Sequence, residues 1–139
     1  MPSQTLTDFE LGWLVGVLDG EGTFRYFHRS QRVAVNMGDF DTVEKVAHLF
    51  NKITGGTFPI SESYGKKINH SVMYYVCANG EDARKIMRLV VRHMSKRRRQ
   101  RIWQCLNEFN QPTKGKDALK VDIVALGLVG KRGSDAFTN

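Results

Sequence analysis

Gly12, Gly16 and Gly20 recur at intervals of four inside a run otherwise made of Leu11, Trp13, Leu14, Val15, Val17 and Leu18. The segment before them, Thr7-Asp8-Phe9-Glu10, has the order of a capping box, so the run predicts a helix that starts near residue 7. At a spacing of four the glycines share one helical stripe. Each costs about 1 kcal/mol of helix stability relative to alanine, so packing has to compensate. Small residues at this spacing let a second helix backbone come close. Apolar nearly all round, the helix is expected to be buried.

Two β-branched and aromatic stretches follow, TFRYFHRS (23–30) and RVAVNM (32–37), read as a hairpin whose turn lacks glycine. A second helix is expected from Asp41, with Glu44 three residues on. It carries Val43, Val46, Ala47, Phe50 and Ile53 at helical spacing and ends at Gly55-Gly56. TFPISES (57–63) and HSVMYYVC (70–77) form a second hairpin. Asn79 or Gly80 opens a third helix with Ala83, Ile86, Met87 and Val90 inward. Ser95 caps a fourth with Ile102, Trp103, Leu106 and Phe109, stopped by Pro112. Two helix–hairpin units in succession predict an α+β domain of order αββαββα, with one antiparallel sheet and its helices on one face. The other face is then open to a ligand.

The 139 residues suffice for one core, assigned to residues 1–112. Residues 113–139 read as a partly ordered tail whose apolar run, VDIVALGLV, fits a short docked helix or strand equally well. There is no stretch of membrane-spanning length and no secretion signal. Cys77 and Cys105 have no metal-ligand spacing and are expected as buried thiols. His28, His48, His70 and His93 are scattered and read as structural or surface residues.

Charge is distributed unevenly. The chain carries 21 Lys+Arg against 14 Asp+Glu, and nine of the basic residues fall between Ala83 and Asn107, where there is no acid. Such a surface suits a polyanion, although a solvated helix face would also account for it. Asp19 and Glu21 are placed in the opposite sense. They close a helix whose C-terminus already carries partial negative charge. A divalent cation among the acids and free carbonyls relieves that repulsion, and Mg²⁺ suits such oxygens. If two such helices crossed at the glycine stripe, two copies of Glu21 would meet, an arrangement fit for metal-assisted phosphodiester hydrolysis. The plainer reading is an interface helix whose acids cap a turn.

The nonapeptide LVGVLDGEG (14–22) resembles the signature of the LAGLIDADG homing endonucleases, matching it outright at Leu14, Gly16, Asp19 and Gly22. The element order agrees, and the resemblance spans residues 7–109. A single signature implies a homodimer joined through Gly12, Trp13, Val15, Gly16, Asp19 and Gly20. Its saddle-shaped sheet would lie in the DNA major groove, and it would make a double-strand break in a long, near-palindromic site. Members occur in phage, organellar and intron settings. The resemblance makes Glu21 and the Gly20 carbonyl the ligands of Mg²⁺, with Mn²⁺ able to substitute and Ca²⁺ binding without turnover. No small-molecule cofactor is implied. A basic residue near the start of the last helix would steady the scissile phosphate. Counting back from Trp103 selects Lys96, with Arg97 the alternative. The water-ordering position falls at Asp39, and Val43 stands where some members have a basic residue. A non-catalytic relative, either an RNA-binding maturase or a DNA-binding regulator, is the alternative function.

With Glu21 fixed, strand parity turns Thr23, Arg25, Phe27 and Arg29 toward DNA, and Phe24, Tyr26 and His28 toward the helices. Arg32, Ala34 and Asn36 follow on the second strand, and Ser71, Met73 and Tyr75 on the fourth, with Lys66 and Lys67 on the flanking turn. Arg25, Arg29 and Arg32 are candidate readers of guanine and Asn36 of adenine. Arg98 and Arg99 are expected to neutralise phosphates. For each exposed strand residue, simple solvation is the competing reading.

Overall fold

The structure is a computed structural model and describes residues 4–64 and 71–109. Lys66 and Lys67, Pro112 and the expected tail lie outside the described residues. Helix α1 (Asp8–Glu21) begins as the sequence predicts: the Thr7 hydroxyl accepts from the Glu10 amide, and the Glu10 carboxylate accepts from the Thr7 amide. Lys52 binds the same Glu10 carboxylate at 2.8 Å and so ties the helix start to the second helix. Strands β1 (Gly22–Phe27) and β2 (Ser30–Met37) form a hairpin, followed by α2 (Phe40–Thr54), β3 (Ser61–Tyr64), β4 (Val72–Asn79) and α3 (Gly80–Val90). A 3₁₀ turn (Val91–His93) leads into α4 (Lys96–Phe109).

The strands form one antiparallel sheet in the order β1-β2-β4-β3, so the two hairpins meet through their second strands. The protein is therefore an α+β domain with a four-stranded antiparallel sheet. Phe24, Val33, Val35, Val76 and Ala78 face inward and join one continuous core with Leu14 and Leu18 of α1, Val43, Val46, Leu49 and Phe50 of α2, and Ile86 and Met87 of α3. Thr23, Arg25 and Asn36 are exposed as the expected parity has them, with Phe24, Val33 and Val35 buried, whereas Ala34, expected on the outer face, is buried as well. Among the described residues no helix is long and apolar enough to cross a membrane.

Local expectations are corrected in several places. The first hairpin turns at His28-Arg29, with Phe27 paired to Ser30, so neither residue belongs to a strand and His28 does not face the helices. Both occupy the left-handed region, at φ 52° and 62°. A two-residue hairpin requires that twist, and without the usual Asn or Gly the sequence carries no sign of it. Helix α2 starts at Phe40 with Asp39 as its N-cap, and the Thr42 hydroxyl donates to the Asp39 carboxylate; the box expected at Asp41 and Glu44 is not the start. Strand β3 is confined to four residues beyond Pro59, which has no amide to give a ladder, and β4 runs two residues later than expected. On α4, Ile102, Cys105 and Leu106 are buried while Trp103 is 46% exposed, which shifts the apolar phase by one position. Cys77 is only half-buried, paired with Ala34 on β2.

Within one chain α1 is not buried all round. Only Leu14 and Leu18 are fully buried, Leu11, Trp13, Val15 and Val17 are half-buried against the core, and Phe9 is 74% exposed. A methyl group built on Gly12, Gly16 or Gly20 would meet nothing within 4 Å. The glycine stripe therefore faces outward.

Candidate functional site

The C-terminus of α1 meets the N-terminus of α4, and each supplies what the other lacks. A helix end leaves carbonyls without partners, and a helix start leaves amides without partners. The Asp19 carboxylate accepts the Ser95 amide at 2.8 Å. In return the Arg98 guanidinium donates from Nε to the Asp19 carbonyl and from Nη2 to the Leu18 carbonyl, both at 3.0 Å, and also from Nη2 to the Gly22 carbonyl. It lies 5.2 Å from the centre of the Phe24 ring. Gly22 has to be glycine for this crossing, because a Cβ there would sit 2.7 Å from the Leu18 carbonyl oxygen.

The electrostatics follow from these contacts. The Ser95 amide, aided by Arg98 and Arg97, holds the Asp19 carboxyl below the usual carboxylate range against the opposing effect of burial. Burial and the neighbouring Arg97 lower the Arg98 pKa, while Asp19 and Glu21 pull it upward. Arg98 thus feels Asp19, Glu21 and Arg97 at once. Glu21, the last residue of α1, is exposed, as are Gly20, Lys96 and Arg97. Arg98 does not take the Gly20 carbonyl among those it binds.

Of the residues the sequence nominated for chemistry, Glu21 and Arg97 both lie within electrostatic reach of Arg98, Gly20 precedes Glu21, and Lys96 precedes Arg97 at the start of α4. Asp39 stands at the N-cap position of α2 without a side-chain cap hydrogen bond, and its carboxylate accepts from the Thr42 hydroxyl. Val43 is wholly buried. Of those nominated for helix pairing, Gly12, Gly16 and Gly20 are open, and Trp13 and Val15 are half-buried against the chain's own core. Lys45 lies 4.4 Å from the Trp13 ring. Asp19 is committed to Ser95.

The outer sheet face carries a concavity of about 270 Å³ lined by Thr23, Arg25, Arg32, Ala34, Asn36 and Tyr75. All but Ala34 were nominated as DNA contacts, and Ala34 was placed on that face. Phe27 is exposed beside it, with the Arg32 guanidinium 4.7 Å from its ring centre. Arg29 stands at the hairpin tip, and Ser71 is exposed just before β4.

The basic run is less available than its composition suggests. Arg84 pairs with Glu81 at 2.7 Å and donates to the buried Gln31, and Arg88 lies 3.6 Å from Glu81. Arg99 donates to the Met94 carbonyl, and Arg101 to the Phe24 carbonyl. Arg84, Arg98, Arg99 and Arg101, four of the nine basic residues, are half-buried and hold the chain's own structure, whereas Arg88 is exposed. Lys85, Arg92, Lys96 and Arg97 are exposed. The roles of Arg98, Ser95, Arg101 and Asn79 were not foreseen. Only Arg98 had a usable signal, since it lies one helical turn before the buried Ile102.

The chain matches no protein-family model, and no curated protein sequence matches it.

Proposed function

We propose that this chain is a LAGLIDADG-type site-specific DNA endonuclease acting as a homodimer with Mg²⁺, its saddle-shaped sheet laid in the major groove. The observation that carries the reading is that the exposed Glu21 stands at the junction of α1 with β1, and the outward face of β1 sets Arg25 directly opposite Arg32. Like charges facing each other across a strand pair are destabilising unless an anion meets them. At the start of the same strand, four residues before Arg25, stands a carboxylate suited to a metal rather than to phosphate. A phosphodiester backbone with a bound cation reconciles the two.

The donors fit Mg²⁺. Glu21 and the Gly20 carbonyl are hard oxygens on one exposed helix end, and the cation's other positions suit water and phosphate. Among the described residues no three acidic, histidine or cysteine side chains form a metal group within one chain. A second copy, packed along Gly12, Gly16 and Gly20, would bring another Glu21. When bound, the metal would activate a water and stabilise the leaving oxygen. Arg97 and Lys96 would balance charge at the phosphate. Arg98 and Ser95 hold the helix end that presents Glu21.

The test pairs duplex affinity with plasmid linearisation for the wild type and Glu21→Gln, each in Mg²⁺ and in Ca²⁺. The expected result is loss of cleavage by orders of magnitude with binding retained. Cleavage by Glu21→Gln at the wild-type rate would discard the site. One observation favours a second reading, a non-catalytic maturase or regulator: Asp19 accepts from Ser95 and Asp39 from Thr42, so two of the acids in the candidate set serve local structure. Tight duplex or RNA binding without cleavage in Mg²⁺ or Mn²⁺ would select it.

A further inference from the structure

The outer sheet face does not treat its two central arginines alike. Arg25, Arg32 and Asn79 form one rung across β1, β2 and β4. Arg25 is exposed, whereas Arg32 is half-buried and restrained on several sides. Its Nε donates to the Asn79 side-chain oxygen at 2.7 Å. Its guanidinium lies 4.7 Å from the Phe27 ring centre, within cation–π range. The Tyr75 hydroxyl is close enough to interact with it.

These contacts fix the orientation of a side chain that otherwise loses considerable rotamer freedom on binding. With Nε engaged by Asn79 and the plane set by Phe27, the four Nη hydrogens exceed what Tyr75 can accept and leave donors for an external partner. Two parallel N–H groups from a fixed guanidinium match the O6 and N7 acceptors on the major-groove edge of guanine. A phosphate contact needs no such restraint, because it fixes position without reading sequence. Asn79 is the N-cap residue of α3 but makes no side-chain cap hydrogen bond, which leaves its carbonyl oxygen for Arg32.

We propose that Arg32 is the guanine-reading residue of this face, with Asn79 and Phe27 as its positioning residues and Arg25 as a phosphate contact. The inference rests on the DNA-binding reading above and adds which side chain specifies a base.

The full chain is used to select preferred duplexes from a randomised library by binding in Ca²⁺. Affinities of Arg32→Lys, Asn79→Ala, Asn79→Asp and Arg25→Ala are then measured on the selected duplex and on single-base-pair variants of it. Wild type should require G·C at one symmetry-related pair of positions. Arg32→Lys and Asn79→Ala should lose about tenfold of discrimination there and none elsewhere, the size expected for a bidentate contact. Asn79→Asp keeps the acceptor and should restore the preference. Arg25→Ala should weaken all duplexes alike. Lysine lacks the planar fork, so an unchanged preference in Arg32→Lys would overturn the proposal, as would loss of affinity without loss of preference in Asn79→Ala. If wild type binds no duplex, the DNA reading itself fails, and that outcome is distinct from intact binding with the guanine preference mapped to another residue.

Discussion

Gly16 separates two accounts of α1 because they predict opposite signs. Nothing in the described chain lies within 4 Å of a Cβ built there, so Gly16→Ala adds a methyl group to open space. Helix propensity alone then stabilises an isolated chain by about 1 kcal/mol. For a domain of this size that raises the melting temperature by about 3–5 °C. In a dimer closed along Gly12, Gly16 and Gly20 the same methyl group meets the partner backbone. Gly16→Leu, with three more carbons, costs about 1–3 kcal/mol or more at each overpacked contact.

The measurements are sedimentation velocity and thermal melting across a hundredfold range of concentration. Wild type should sediment as a dimer with a melting temperature that rises with concentration, since association stabilises by mass action. Gly16→Leu should sediment as a monomer, melt at a temperature independent of concentration, and lose plasmid linearisation. A dimeric Gly16→Leu would refute the stripe as the contact. Wild type and Gly16→Leu both monomeric, with the variant simply more stable, would refute the dimer.

Arg29 at φ 62° predicts that Arg29→Gly outlasts Arg29→Ala by about 1 kcal/mol in urea denaturation, because both lose the side chain and only glycine relieves the left-handed conformation. Equal midpoints would remove the strain argument. Arg98→Ala should cost about 2–4 kcal/mol by leaving carbonyls of Leu18, Asp19 and Gly22 without their donor, whereas Lys96→Ala and Arg97→Ala should leave melting unchanged and weaken all duplexes alike. Asp19 has a lowered pKa in the fold, so its contribution is complete above the ordinary carboxylate value of 3.8 and disappears as pH falls through the folded value. Asp19→Asn should accordingly flatten the acid limb of the stability curve, and superimposable limbs would contradict this.

Features repeated along the chain were legible in the sequence: the capping box of α1, the inward set on α3, and strand parity strong enough to place Thr23, Arg25, Arg32, Asn36 and Tyr75 together. Features set by a single tertiary contact were not. The His28-Arg29 turn has no composition signal because its conformation is imposed by the strands it joins. The phase of α4 was misjudged because Trp103 reads as core and is exposed, while Cys105 is the buried neighbour. A run of nine basic residues looked like one charged face, yet neighbours distant in sequence, such as Gln31, Phe24 and Leu18, claim several of them.

That redistribution bears on how the two acids of the signature divide their work. Asp19 supplies an acceptor to the Ser95 amide just before α4, and Arg98 returns donors to the last carbonyls of α1, so each helix end meets charge of the opposite sign. The clasp consumes one carboxylate and leaves Glu21, two residues on, exposed. Helix geometry turns successive residues by about 100°, so acids two apart cannot both face α4. One is held by the fold, and the other is presented outward where a phosphate and a cation could meet it. Loss of the first charge should therefore lower stability and activity together, and loss of the second should remove activity from a chain that melts as before.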